Sequence, residues 1–224
     1  MQINTFSLII NKSTVMVRVK GMVIVLTSCR YFQQGFAMLV EQLMFDAPSF
    51  QQVHYLDDIK KATKEDLSRA KAIVVDYGES DIKVLHALLD LKNRYEQSYF
   101  IFITRDVCYE STIENILINT IADYTIDCKS AVRKLSACLA HLAQEDQPVT
   151  IFKNARWHHL EKEQRLTRME TMLLPYIVSG KKNKEITRYL DVTGKTVSHH
   201  RRNIYRKFAV TNLTGLFKKF DQRA

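Results

Sequence analysis

No run of apolar residues in this chain approaches the roughly 20 needed to cross a bilayer. The opening stretch "MQINTFSLIINKSTVMVRVKGMVIVL" interrupts its apolar residues with Lys12, Arg18 and Lys20, which makes a poor signal-peptide core. The four cysteines, at 29, 108, 128 and 138, include no C-x-x-C pair. That argues against a zinc knot or a disulfide framework and leads us to expect reduced thiols in a cytoplasmic protein. No nucleophile–base or metal constellation converges in the sequence, so no enzyme, metal or cofactor is expected. No Gly-rich phosphate cradle or Arg cluster supports a nucleotide-sensing role.

What is present is a chain of 224 residues, 46% hydrophobic, which suits one large or two modest domains. Its net charge of +9 is unevenly spread. Residues 151–224 hold 17 Lys and Arg against 6 Asp and Glu, whereas residues 1–150 hold 16 against 18. The whole basic excess therefore sits in the last third, the footprint of a nucleic-acid-binding domain tied to a near-neutral one. An anionic membrane would also accept it, but no strongly apolar helix face accompanies the charge.

Within that third, "TGKTVSHHRRNIYRKF" (193–208) is the most informative stretch. At about 100° per residue, Val197, Ile204 and Phe208 fall in one narrow wedge, and Lys195, His199, Arg202 and Arg206 cluster opposite. Thr193 is placed to cap the helix. Upstream, "LTRMETMLLPYIVSG" (166–180) starts with a Thr167–Glu170 capping box and ends at Gly180, a left-handed C′ candidate. Pro175 inside it is expected to kink or shorten the helix. "NKEITRYL" forms a short helix, "DVTG" a turn, and "NLTGLFKKF" a last helix with Leu213, Leu216, Phe217 and Phe220 at helical spacing.

A short helix, a tight turn and a basic helix make a helix-turn-helix. Through "LTRME", "SGKKNKEI", "TGKTVSHHRRNIYRKF" and "VTNLTGLF", residues 166–220 resemble the LuxR/NarL-type helix-turn-helix of bacterial transcription regulators. Met169, where that family usually has Arg, and Pro175 depart from its pattern. The resemblance implies that Ser198, His199 and Arg202 touch base edges, Arg202 with the option of a bidentate bond to guanine. Lys195, Thr196, His200, Arg206 and Lys207 are assigned to phosphates. Lys182 and Lys184 join them, the alternative for these two and Lys181 being plain solubilising charge. Arg201 lies nearer the buried wedge and is expected to pair with a carboxylate such as Glu185. The last helix closes the small core and, by the resemblance, also carries a dimer contact.

Ahead of residue 144, short β-branched runs alternate with helical patterns. "MVIVL", "VHYL", "AIVVD", "YFIFIT" and "ADYTI" are separated by "YFQQGFAMLVEQLMF", "KEDLSRA", "DIKVLHALLDLKNRY" and "STIENILINT", with "AVRKLSACLAHLA" last. Phe32, Phe36, Leu39 and Leu43 make one stripe; Ile82, Leu85, Leu88 and Leu89 make another. Five buried strands alternating with helices indicate a parallel sheet covered on both faces. Ahead of a LuxR/NarL-type helix-turn-helix, this pattern resembles a response-regulator receiver. The expected fold class is thus α/β: a five-stranded parallel, flavodoxin-like domain, then an all-α four-helix domain. Its expected parts are an extension (1–21), a pseudo-receiver (22–143), a linker (144–165) and the helix-turn-helix (166–224). Residues before Met22 are either a short extension or lie upstream of a start at Met16 or Met22.

The resemblance places the phosphoacceptor at Asp76. The acidic pair that should hold Mg²⁺ after the first strand is replaced by Thr27 and Ser28, which are poor ligands for a hard cation. Thr104 fills the Thr/Ser position, but Asp127 stands where Lys is expected, unless Lys129 reaches in. Asp76 is therefore read as vestigial, in a degenerate receiver resembling those of enterobacterial auxiliary regulators of capsule, fimbriae and surface polysaccharide. His158 and His159 beside Trp157 read as linker decoration. The functional expectation is a DNA-binding transcription regulator, homodimeric or paired with another regulator. The alternatives are a modulator that binds a partner regulator with little DNA affinity, and an effector-sensing regulator.

Overall fold

The structure is a computed structural model and describes residues 21–46, 50–78, 81–105, 112–143 and 162–221. Apart from Gly21, the expected extension lies outside these residues. So do Cys108 and most of the expected linker, with Trp157, His158 and His159.

Five strands, β1 (Gly21–Leu26), β2 (Phe50–Leu56), β3 (Ala70–Tyr77), β4 (Tyr99–Thr104) and β5 (Tyr124–Asp127), form one sheet in the order β2-β1-β3-β4-β5. Every pairing is parallel. Helices α1 (Arg30–Asp46), α2 (Lys64–Arg69), α3 (Ile82–Arg94) and α4 (Thr112–Ile121) make the crossovers, and α5 (Ala131–Ala143) follows the last strand. Because both faces are covered, the strands are apolar almost throughout rather than alternating. Val23, Val25, Ala72, Val74 and Ile101 face α1 and α5. Ile24, Ile73, Val75, Phe100 and Phe102 face α2, α3 and α4.

The α1 stripe of Phe36 and Leu39 is buried with Phe32 and Leu43 at its margin. On α3, Leu85, Leu88 and Leu89 are buried but Ile82 is exposed. Ile82 is the first helical residue, after the N-cap Asp81, whose carboxylate accepts from the Lys83 and Val84 amides. At that position the chain is only entering the helix, so its side chain is not carried onto the sheet.

The C-terminal helices are α6 (Arg168–Val178), α7 (Asn183–Leu190), α8 (Gly194–Lys207) and α9 (Leu213–Asp221). Thr167 and Glu170 form the expected capping box. Pro175 does not shorten α6, which runs on to Val178 with the proline ring buried. Gly180 takes φ +76 and its neighbour's amide, Lys181 N, bonds back to the Tyr176 carbonyl at 3.0 Å, a Schellman closure. The α8 terminus closes in the same way, Val210 N to Tyr205 O at 2.9 Å, but with Ala209 at φ +55.

α4 has no exposed residue among its described side chains. Ile113, Ile116, Leu117, Ile118 and Ile121 are all buried. At about 100° per residue these five side chains spread over more than half of the helix circumference, so one apposed layer cannot cover them all. The sheet and α3 supply part of the cover, and α6 and α9 supply the rest. The apolar core of the helical domain, Leu173, Ile177, Val197, Ile204 and Leu216 among others, is accordingly continuous with the core below the sheet.

A left-handed alanine is strained by its Cβ, whereas glycine tolerates that region. Ala209→Gly should therefore raise stability by about 0.5–1 kcal/mol, after allowing for the more flexible unfolded chain. Urea unfolding of the two proteins checks it, and an unmoved or lower midpoint would count against this account of the cap.

Candidate nucleic-acid interface

Thr193 starts α8 by accepting from the Thr196 amide at 3.1 Å. Asp191 at φ +46 turns the chain between α7 and α8. Val197, Ile204 and Phe208 point into the core, with Phe208 meeting Phe220 of α9 edge to face at 5.2 Å. The opposite face carries Lys195, His199, Arg202 and Arg206, all exposed. The turn geometry and the buried seam together set which side of α8 faces outward.

On that face Asn203 binds His199 and Arg206 together. Its amide lies 3.0 Å from His199 Nε2, and its carbonyl oxygen accepts from Arg206 at 3.2 Å. Sequence reading passed over Asn203, although its i, i+4 and i, i+3 spacings were visible. Arg202 folds back to donate to the Ser198 carbonyl at 3.4 Å. Thr196, Ser198 and His200 are half-buried at the edge of the face, with His200 packed edge-on to His199 at 5.4 Å. Lys182 and Lys184 are exposed at the start of α7, where the Lys182 amide is capped by Glu185 at 2.8 Å.

Three basic residues have other tasks. Lys207, expected at a phosphate, is half-buried and donates to Glu170 at 2.5 Å and to the Arg165 carbonyl at 2.6 Å. It lies at the end of α8 where the helix meets α6, so its charge neutralises a carboxylate that is 2% exposed. Arg201 does not pair with Glu185; it donates to the Lys181 carbonyl at 2.7 Å. Lys181 itself binds Asp90 of α3 at 2.7 Å, which removes it from both roles considered for it.

At the carboxyl edge of the sheet, Asp76 lines a cleft of about 310 Å³ with Thr27, Ser28, Asp57, Asp81 and Arg105. The buried Thr27 hydroxyl donates to Asp76 Oδ2 at 2.7 Å and accepts from the Cys29 amide at 3.0 Å. Asp127 uses its carboxylate to cap the Lys129 amide at 2.9 Å. These residues do not fit Mg²⁺, since a neutral hydroxyl occupies Asp76 where an acidic pair would be needed. Among the described residues no group of three His, Cys, Asp or Glu side chains converges as a metal site. Arg105 was not legible as a cleft residue; it packs so closely on Gly78 that a Cβ there would lie 2.9 Å from its guanidinium carbon. Next to Asp76, Tyr77 donates to the buried Glu114 of α4 at 2.8 Å, and burial followed by that carboxylate pushes the phenol pKa up.

The fold and this face define a parallel α/β domain joined to a helix-turn-helix. Residues 164–220 match the family of bacterial regulatory proteins described as the luxR family. The transcriptional regulatory protein MctR of Rhizobium johnstonii (strain DSM 114642 / LMG 32736 / 3841) is 40% identical over 53 residues, 24% of this chain. That match spans a quarter of MctR's length. Among solved structures, the two-component response regulator RcsB bound to DNA is 17% identical, covering 92% of this chain and 100% of that one, with a TM-score of 0.44. Full-length FixJ from B. japonicum is also 17% identical, covering 89% and 95%, with a TM-score of 0.41.

Burial would raise the Glu170 pKa, but the bonds from Lys207 and Thr167 outweigh it and hold the carboxyl below its ordinary value. A carboxyl depressed in the folded state adds stability above its unfolded pKa and loses it as pH falls through the folded one. Lys207→Met leaves that carboxylate buried without a counter-charge and should cost about 3 kcal/mol at neutral pH, less in acid. Urea unfolding at both pH values tests this; a neutral-pH loss within error of zero would return Lys207 to the phosphate set.

Proposed function

We propose that this chain is a bacterial, sequence-specific DNA-binding transcription regulator that works without phosphorylation and as a dimer, with itself or with another regulator. The observation that carries the reading is the two-sided α8: Lys195, His199, Arg202 and Arg206 outward, Val197 and Ile204 fully buried behind them. Such a helix enters a major groove with its cations on bases and phosphates while the seam keeps it seated. Ser198, His199 and Arg202 read bases. Lys195, Thr196, His200, Arg206, Lys182 and Lys184 hold the backbone. The relative sharing this segment is a transcriptional regulatory protein, which supports the same role here. A protein with this role works in the cytoplasm.

Phosphorylation independence is supported by Thr27 on Asp76. Association is supported by the sheet face away from the helical domain, where Tyr31 and Met38 of α1 and Val132 of α5 are exposed. Glu41 lies toward one end of this face and Arg133 and Lys134 at the other, all exposed. Two copies laid antiparallel across it bring opposite charges together.

Binding to duplex DNA should weaken roughly 10³–10⁵-fold between about 50 and 200 mM salt. Arg202→Ala should remove about 1–3 kcal/mol of base discrimination at one position. Treatment with acetyl phosphate and Mg²⁺ should add no phosphate to Asp76 and leave affinity unchanged. Salt-insensitive binding, or Arg202→Ala with full discrimination, would instead favour a modulator that acts through a protein partner. In sedimentation, Met38→Glu should shift the self-associated chain toward monomer, and no shift would remove α1 from the interface.

A further inference from the structure

The helical domain is seated on α3 and α4 by polar bonds as well as by the apolar cover of α4. Asp90 of α3 accepts from Lys181 Nζ at 2.7 Å and from the Tyr189 hydroxyl at 3.2 Å. One turn along, Asn93 accepts from the Tyr176 hydroxyl at 2.6 Å, and the Tyr176 and Tyr189 rings stack at 5.6 Å. One turn before Asp90, the His86 imidazole is pushed below its ordinary pKa by burial and by Lys181.

The clamp reaches the back of the reading helix through a single residue. The carbonyl of Lys181, whose ammonium is on Asp90, accepts from Arg201 of α8 at 2.7 Å. Arg201 lies between His200 and Arg202 and is turned away from the exposed face. With all these bonds in place, Lys195, His199, Arg202 and Arg206 are already exposed. The bonds that dock the helical domain leave that face uncovered. Separation would instead strip cover from Ile113, Ile116, Leu117, Ile118 and Ile121, which the helical domain helps to bury.

We propose that Asp90 is a positioning residue for DNA reading: the helical domain reads duplex DNA while docked on α3 and α4, with Asp90 acting through Lys181 and Arg201 to fix α8. This rests on the DNA-reading function proposed above. The α/β domain is then part of the reading apparatus, a permanent bed for the helix rather than a cover that must lift.

The sign of one charge reversal separates docked reading from release. A duplex enriched by the intact chain from a randomised pool serves as probe, with circular dichroism to confirm folding. Asp90→Lys sets two cations against each other behind α8 and should weaken binding to that duplex about tenfold, or about 1.4 kcal/mol. The exchange Asp90→Lys with Lys181→Asp should restore most of it. Equal or tighter binding by folded Asp90→Lys would overturn the proposal and leave DNA reading standing, whereas a pool that enriches nothing would sink both. The unmodified chain gives a second readout. Carbodiimide joins an ammonium to a carboxylate in direct contact, so the Lys181–Asp90 cross-link, read by peptide mass spectrometry, should form equally with and without saturating duplex. Its disappearance on DNA would show release and overturn the proposal.

Discussion

The apolar arc of α4 is too wide for a single layer to cover, and the arrangement of the whole molecule follows from that. Its five buried isoleucine and leucine side chains cannot all face the sheet, because a helix presents only one stripe to a flat surface. The remainder needs a second apolar layer, and α6 and α9 are that layer. Once they are seated, the buried seam of α8 is oriented by the same core, and its cationic side has only solvent left to face. The position of α8's cationic face is thus a consequence of a helix in the other domain.

Polar bonds then select one seating among the many an apolar surface would accept. Apolar contact is non-directional. Asp90 and Asn93, on one face of α3, are met by Lys181, Tyr189 and Tyr176 from three different places in the helical domain. A rotation or slide of the domain breaks several of these bonds together and leaves half-buried polar groups unpaired, which costs about 1–3 kcal/mol for each. Burial supplies the adhesion and this cluster supplies the register.

Local patterns made most of this architecture legible in advance. Alternating apolar runs and helical stripes located the five strands and the helices α1 to α9, and the Thr167 box, the Thr193 cap and the Gly180 terminus follow from short-range chemistry. The opposed faces of α8 came from a helical wheel alone. What escaped depends on residues far apart in the chain. Lys207 and Glu170 are 37 positions apart, and Lys181 and Asp90 are 91 apart, so nothing nearby distinguishes these lysines from surface ones. Arg201 was rightly taken off the outer face, but its acceptor is a backbone carbonyl, which every residue possesses and no sequence pattern marks. In "TIENILINTI" the isoleucines and leucine spread over more than one face of the helix, and its need for a second partner beside the sheet was not drawn from the sequence.

The cleft around Asp76 completes the physical picture. In a chain that must switch, a strand-end aspartate has to stay available and its surroundings have to respond. Here the Thr27 hydroxyl lies on its carboxylate, and the next residue, Tyr77, is bonded to Glu114 in the first turn of α4. That glutamate is buried together with the phenol, so moving α4 would break a buried bond between them. The sheet edge at Asp76 is therefore braced against the helix that carries the helical domain. A brace of this kind resists displacement from either end, which suits a domain that holds its neighbour in place better than one that lets it go.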